Sequence, residues 1–194
     1  FAGNGGTLNV TGAATVEHLI LSAGNTAITG NGDLTIAASA IWTGGNMRVG
    51  GKTKVGPAAT LTIGGADARS LGRVLENAGT VNYVGSGLGL GPTDAEPGVI
   101  DNLASGTFTV TGDGDFVRSW NSPNQKFNNY GLFVKQGEET TTLFSGVAFH
   151  NNGTIDVQAG RLQLAGGGDV FQIDGMNRLS MNNNTTINIP AGLI

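Results

Sequence analysis

A short unit of apolar, polar and apolar residues returns along this chain at long, nearly regular intervals, and that return limits the fold more than any other feature. The unit reads Leu8-Asn9-Val10, Leu34-Thr35-Ile36, Leu61-Thr62-Ile63, Val81-Asn82-Tyr83, Phe108-Thr109-Val110, Ile155-Asp156-Val157 and Ile187-Asn188-Ile189, with Phe133-Val134-Lys135 a degraded copy. Its first residues lie 26, 27, 20, 27, 25, 22 and 32 positions apart. A second row keeps step with it: Leu75-Glu76-Asn77, Ile100-Asp101-Asn102, Phe127-Asn128-Asn129 and Phe149-His150-Asn151, at steps of 25, 27 and 22. Alternation puts the outer two residues of a unit on one side of a strand and the middle one on the other. So short a strand cannot bury its apolar side alone. Like units stacked coil upon coil can.

The chain therefore reads as all-β, a single-stranded parallel β-helix (β-solenoid) of about eight coils of 20–32 residues, one continuous module over residues 1–194. Leu8, Leu34, Leu61, Val81, Phe108, Phe133, Ile155 and Ile187 are predicted to form one core ladder. Parallel strands about 4.8 Å apart would make a rod about 35–40 Å long. Asn77, Asn102, Asn129 and Asn151 are predicted to form an Asn turn ladder at a corner, in left-handed backbone, each bonding the next coil. Three strands per coil are expected, with Met47-Arg48-Val49, Leu162-Gln163-Leu164 and Leu179-Ser180-Met181 among the others. Gly85 to Pro97 and Arg118 to Lys126 read as protruding loops.

Composition agrees with strands and tight turns. The chain has 34 Gly, 39% apolar and only 12% charged residues, too apolar and too weakly charged for a disordered tract. A net charge of −4 without a basic cluster argues against a nucleic-acid partner. No run of 18 apolar residues is present, so no membrane-spanning helix is expected. The absence of Cys is compatible with export. Apolar residues at both ends, Phe1 and Leu193-Ile194, give the expectation of a piece of a longer protein whose ends meet another coil stack.

Between residues 41 and 168 the pattern resembles a known group. Ile41-Trp42-Thr43-Gly44-Gly45-Asn46-Met47 and Ala58-Ala59-Thr60-Leu61-Thr62-Ile63 look like its opening, Leu75-Glu76-Asn77-Ala78-Gly79-Thr80-Val81 continues it, and Phe127-Asn128-Asn129-Tyr130-Gly131 with Phe149-His150-Asn151-Asn152-Gly153-Thr154-Ile155-Asp156-Val157-Gln158-Ala159-Gly160-Arg161-Leu162 look like its close. The group is the large secreted bacterial β-strand-repeat surface proteins, adhesin-like or filament-like. The resemblance implies an extracellular, cell-surface scaffold and carries over no catalytic residue.

The candidate sites are few. Asp113-Gly114-Asp115 is the best acidic pair, with Asp113 and Asp115 weak candidates for Ca²⁺, although the calcium-binding nonapeptide does not recur. Glu138-Glu139 are adjacent, hence on opposite sides of a strand and a poor catalytic pair. Among Trp42, Trp120, Tyr83 and Tyr130, Trp120 lies in a polar stretch and is the expected glycan contact, while Trp42 is expected in the core. His18 and His150 are far apart, without metal-ligand company. The expectation is a non-enzymatic scaffold that uses no cofactor and whose partners are further coils, identical subunits end to end, or surface glycans. A carbohydrate-binding or polysaccharide-cleaving β-helix is the alternative, and ice binding a lesser one.

Overall fold

The computed structural model describes residues 1–3, 5–120, 124–138, 140–169, 178–181 and 186–188. Among these residues there is no helix, and the strands stack in parallel as a β-solenoid of about seven turns. Each turn contributes three strands, giving three faces. The first face runs through Lys52–Val55, Val74–Asn77, Val99–Asn102, Lys126–Asn129 and Ala148–Asn151. The second runs through Thr60–Ile63, Thr80–Tyr83, Thr107–Val110, Leu132–Lys135, Thr154–Val157 and Arg178–Met181. Two long early strands, Ala14–Leu21 and Leu34–Trp42, serve both faces, so the two form one sheet. The third face is a separate sheet from Gly6–Asn9 and Thr26–Thr29 to Arg161–Leu164 and Thr186–Asn188.

Register assigns each inward side chain to a column. On the second face the column is Leu19, Ala40, Leu61, Val81, Phe108, Phe133 and Ile155. Five of the eight residues expected in one ladder do stack there; Leu8, Leu34 and Ile187 do not. Leu8 pairs with Ile28 on the third face, Leu34 with Thr53 on the first, and Ile187 with Leu162 on the third. The reason is coil length. The early coils step by 21, 21 and 20 residues, from Leu19 to Val81, so intervals of 26 and 27 carried the count from one face to the next.

The core fills differently along the rod. Early coils pack Leu19, Leu21, Ile28, Leu34, Ile36 and Met47, all at 1% exposure or less. Later coils bring one phenylalanine column from each face. Within a column the rings stack, as Phe108 on Phe133, Phe116 on Phe144 and Phe127 on Phe149. Between columns they meet edge to face, as Phe127 does with Phe133 and Phe144. Such offset and edge-on contacts suit the ring quadrupoles, and each buried ring contributes about 1.5–3 kcal/mol through burial.

The asparagine row is in register, Asn77 over Asn102 over Asn129 over Asn151, but it is not a left-handed turn. The only non-glycine residue with positive φ among those described is Val49. Each asparagine ends its strand pointing inward, in the column that Val55 occupies one coil earlier. Each amide donates to the next side chain: Asn77 Nδ2 to Asn102 Oδ1 at 2.8 Å, Asn102 Nδ2 to Asn129 Oδ1 at 2.7 Å, and Asn129 Nδ2 to Asn151 Oδ1 at 2.7 Å. The second amide proton of each of the first three goes to the carbonyl of Thr107, Leu132 or Thr154. Burial of four amides is thus offset bond by bond.

The corner that follows requires glycine. A Cβ on Gly79, Gly131 or Gly153 would overlap the carbonyl oxygen of Gly56, Gly106 or Gly131, respectively, one coil below. The stretch from Gly85 to Pro97, read as a loop, contains a third-face strand, Leu88–Leu90, and tucks Glu96 inward.

Candidate functional site

The polar groups enclosed in the solenoid include three cations held by backbone carbonyls. Arg69 is 3% exposed and its Nη1 donates to the carbonyls of Thr43, Gly64, Gly65 and Asp67, while Nη2 reaches that of Ser86. Arg73, fully buried, spans coils in the same way, from Gly32 and Gly51 to Lys52, and burial lowers its pKa. Lys135 occupies the column of Tyr83, Val110 and Val157, but its stem runs to the turn. There Nζ donates to Gly112 O at 3.2 Å, Gln136 O at 2.6 Å and Thr140 Oγ1 at 2.5 Å. Burial pushes its pKa down, opposed by the charge of Asp113. All three cations direct most of their donors at backbone carbonyls, and the two donors left without a partner, Arg69 Nε and Arg73 Nη1, are buried and not presented to a substrate in solution.

Glu96 closes a longer span. It accepts both guanidinium nitrogens of Arg48 at 2.9 and 2.7 Å, the Thr93 hydroxyl at 3.0 Å and the Val49 amide at 3.2 Å. Burial raises its carboxyl, yet these bonds outweigh burial and hold it below the usual value. Val49 adopts φ of 57° where it meets this carboxylate.

The candidates read from the sequence fall in separate places. Asp113 Oδ1 accepts the Thr141 amide at 2.7 Å and Asp115 Oδ1 the Leu143 amide at 2.8 Å, so both carboxylates tie the next coil. Among the described residues no group of three or more His, Asp or Glu lies together as metal ligands. Trp42 is fully buried and donates to Gly45 O at 3.2 Å. Tyr83 is also buried, with its hydroxyl on the Ser86 and Asp115 carbonyls, and burial raises its pKa. His18 meets Ser39 Oγ at 2.8 Å, and His150 meets Asp169 at 3.1 Å. Glu138 is exposed, and Glu139, Leu193 and Ile194 lie outside the described residues. Trp120, at 55%, and Tyr130, at 45%, are the aromatic side chains turned to solvent well beyond the first coil.

Two surfaces stand out. At the N-terminal end, Ala2–Gly3, Gly6–Asn9 and the first half of Ala14–Leu21 each pair on one side only. Phe1 is 51% exposed there, and with the half-buried Leu8 and Val16 it lines an open hollow of about 350 Å³ that Leu34 and Val10 floor. The second surface is a groove of about 370 Å³ at the corner between the first and second faces, walled by Tyr130. It opens beside a sheet face whose outward residues from Ser39 to Val134 include no Asp, Glu, Lys or Arg, among them Thr60, Thr62, Thr80, Asn82 and Thr109. The first face is the opposite, a ladder of paired charges: Lys54 with Asp33, and Lys52 with Glu76. The uncharged groove was missed in the sequence because its walls come from three coils.

The chain matches no family model, no curated protein and no solved structure.

Proposed function

We propose that this solenoid is a structural module, a rigid length of an extracellular bacterial surface adhesin or filament whose N-terminal end stacks on a further coil of the same polypeptide or of a neighbouring subunit. The observation that carries the reading is the open hollow around Phe1, Leu8 and Val16, where apolar inward side chains are covered from one side only. The surface that fits it is another coil, because unpaired parallel strands and an apolar column continue best into strands of the same kind. The enclosed cations and the asparagine amides support a scaffold: Arg69, Arg73, Lys135 and the asparagine row bond mainly from coil to coil. The low charge and lack of cysteine suit the cell exterior, as does the resemblance of residues 41 to 168 to secreted repeat proteins.

Sedimentation velocity and electron microscopy over a range of concentrations test this. The expected result is end-to-end assembly that grows with concentration and is suppressed by Phe1→Glu, a change at an exposed position that leaves the fold intact. A discrete monomer at high concentration, indifferent to Phe1→Glu, overturns the reading.

A further inference from the structure

We infer that the corner groove beside Tyr130 is a recognition subsite for a neutral saccharide. The groove crosses three successive coils at residues 104–107, 130–132 and 152–154. Its floor is backbone, because Gly106, Gly131 and Gly153 have no room for a Cβ, and each would collide with a carbonyl of the coil before. The neighbours of these glycines therefore stand up as walls. The corner position that is Ala78 in one coil is Tyr130 two coils later and Asn152 in the next, as their amides show by bonding Val55 O, Asn102 O and Asn129 O. Tyr130 thus projects beside a bare backbone floor, and its ring is 45% exposed where burial would give it more apolar contact.

The functional groups around that ring define the ligand. Thr107 and Thr154 offer hydroxyls and Asn152 an amide, and none of these side chains, nor the Tyr130 hydroxyl, has a hydrogen-bond partner among the described residues. Together they supply donors and acceptors in both senses. No lining residue is charged. An aromatic face with uncharged hydroxyl and amide groups matches a sugar, whose apolar face lies on the ring while its hydroxyls exchange bonds at the rim. A uronate or sialate would bring a carboxylate to a place without a cation. The volume is near the low end of ligand clefts, which suits a short stretch of a longer glycan. The groove holds no carboxylate, so the carboxyl pair that most glycoside hydrolases use is missing, and the proposed role is recognition without cleavage. Trp120, the glycan contact read from the sequence, lies on the segment between the third and first faces and is not part of this groove.

The test is titration calorimetry of the whole chain with cellohexaose, laminarihexaose, maltohexaose and mannohexaose, and with trigalacturonate as the charged probe. At least one neutral hexaose is expected to bind and trigalacturonate to bind no better than background. Tyr130→Ala should weaken binding about tenfold or more, equivalent to about 1.4 kcal/mol. Tyr130→Trp should retain it, Asn152→Ala should weaken it a few-fold, and Trp120→Ala should leave it unchanged. All three positions are at the surface, and circular dichroism of each variant checks the fold. No heat from any neutral probe at millimolar concentration, binding indifferent to Tyr130→Ala, or preference for trigalacturonate would each overturn the inference. End stacking can fail without affecting any of these outcomes.

Discussion

Replacing Asn129 by alanine cuts the asparagine ladder in the middle, and the cost follows from what is left behind. Asn129 is fully buried. Its removal takes the acceptor from Asn102 Nδ2, the donor from Asn151 Oδ1 and a donor from the Thr154 carbonyl. Asn102 Nδ2 keeps the Leu132 carbonyl, and Asn151 Oδ1 keeps only a long bond of 3.4 Å from the Gly153 amide. Each buried group that loses its partner costs about 1–3 kcal/mol, and the retained bonds put both side chains near the lower bound. The vacated space adds about 1 kcal/mol. The expected loss is about 3–4 kcal/mol. Asn102→Ala should cost a similar amount, and the double variant less than the sum by about 1 kcal/mol, because the two share one bond. Asn77→Ala with Asn151→Ala, three coils apart and about 14 Å distant, should add without coupling. Urea unfolding followed by far-ultraviolet circular dichroism and by tryptophan fluorescence, to which buried Trp42 contributes, measures all six single and double variants, with agreement of the two probes required before a free energy is assigned. A loss below about 1 kcal/mol for Asn129→Ala, or strict additivity at positions 102 and 129, refutes a ladder in which each amide depends on the next.

Three further outcomes are expected. Phe127 touches five other rings, so Phe127→Ala should cost about 3–5 kcal/mol and lower the thermal midpoint more than any single aliphatic truncation in the early coils. Lys135 has a folded pKa below the usual 10.5, so the unfolded chain binds its proton more tightly, and stability should rise with pH from the lowered value up to 10.5; in Lys135→Met that rise should be missing from the urea midpoints. Glu96 has a folded pKa below 4.5, so its contribution is present above 4.5 and is lost as pH falls through the folded value; Glu96→Gln should cost about 1–2 kcal/mol near neutral pH and flatten the acid limb of a thermal-midpoint profile.

The solenoid was legible because its second face carries its own punctuation from Leu61 onward. Ala59, Gly79, Gly106, Gly131 and Gly153 each stand two residues before an inward side chain, where the corner admits little or no Cβ. Leu19 lacks that mark and Ala40 has only Ala38, without a turn, since strands of eight and nine residues carry them around the corner unbroken. The alternating unit therefore had to be taken from wherever it was clearest, and Leu8 and Leu34 belong to other faces. The asparagines gave the right partners but the wrong backbone. Val16, Ile36 and Val55, which precede them in the column, were the signal that the position points inward. For the surface, Trp120 drew attention through its polar neighbours. The groove at Tyr130 depends on Gly106 and Gly153, which lie 25 and 22 residues from Gly131, and a contact such as Glu96 with Arg48, 48 residues apart, has no local pattern at all.

Stacked solenoids face a particular ambiguity, and the buried ions bear on it. A column of Leu, Val and Phe accepts any coil of similar length above or below it, and an asparagine row accepts any other asparagine. If one coil looped out, Asn77 would meet Asn129 with the same chemistry. The caged cations do not tolerate that exchange. Arg73 needs carbonyls from Gly32 and Gly51, in the two coils before its own, and Arg48 needs a carboxylate that reaches back from residue 96. Lys135 needs the Gly112 carbonyl of the preceding coil and the Thr140 hydroxyl of its own turn. Omitting a coil would strand Arg73 and Lys135 in a dry interior, at several kcal/mol per ion, and leave the buried Glu96 carboxylate without its guanidinium. Repeating apolar and amide rows therefore supply most of the stability, while contacts that occur once discriminate among the stackings those rows would allow.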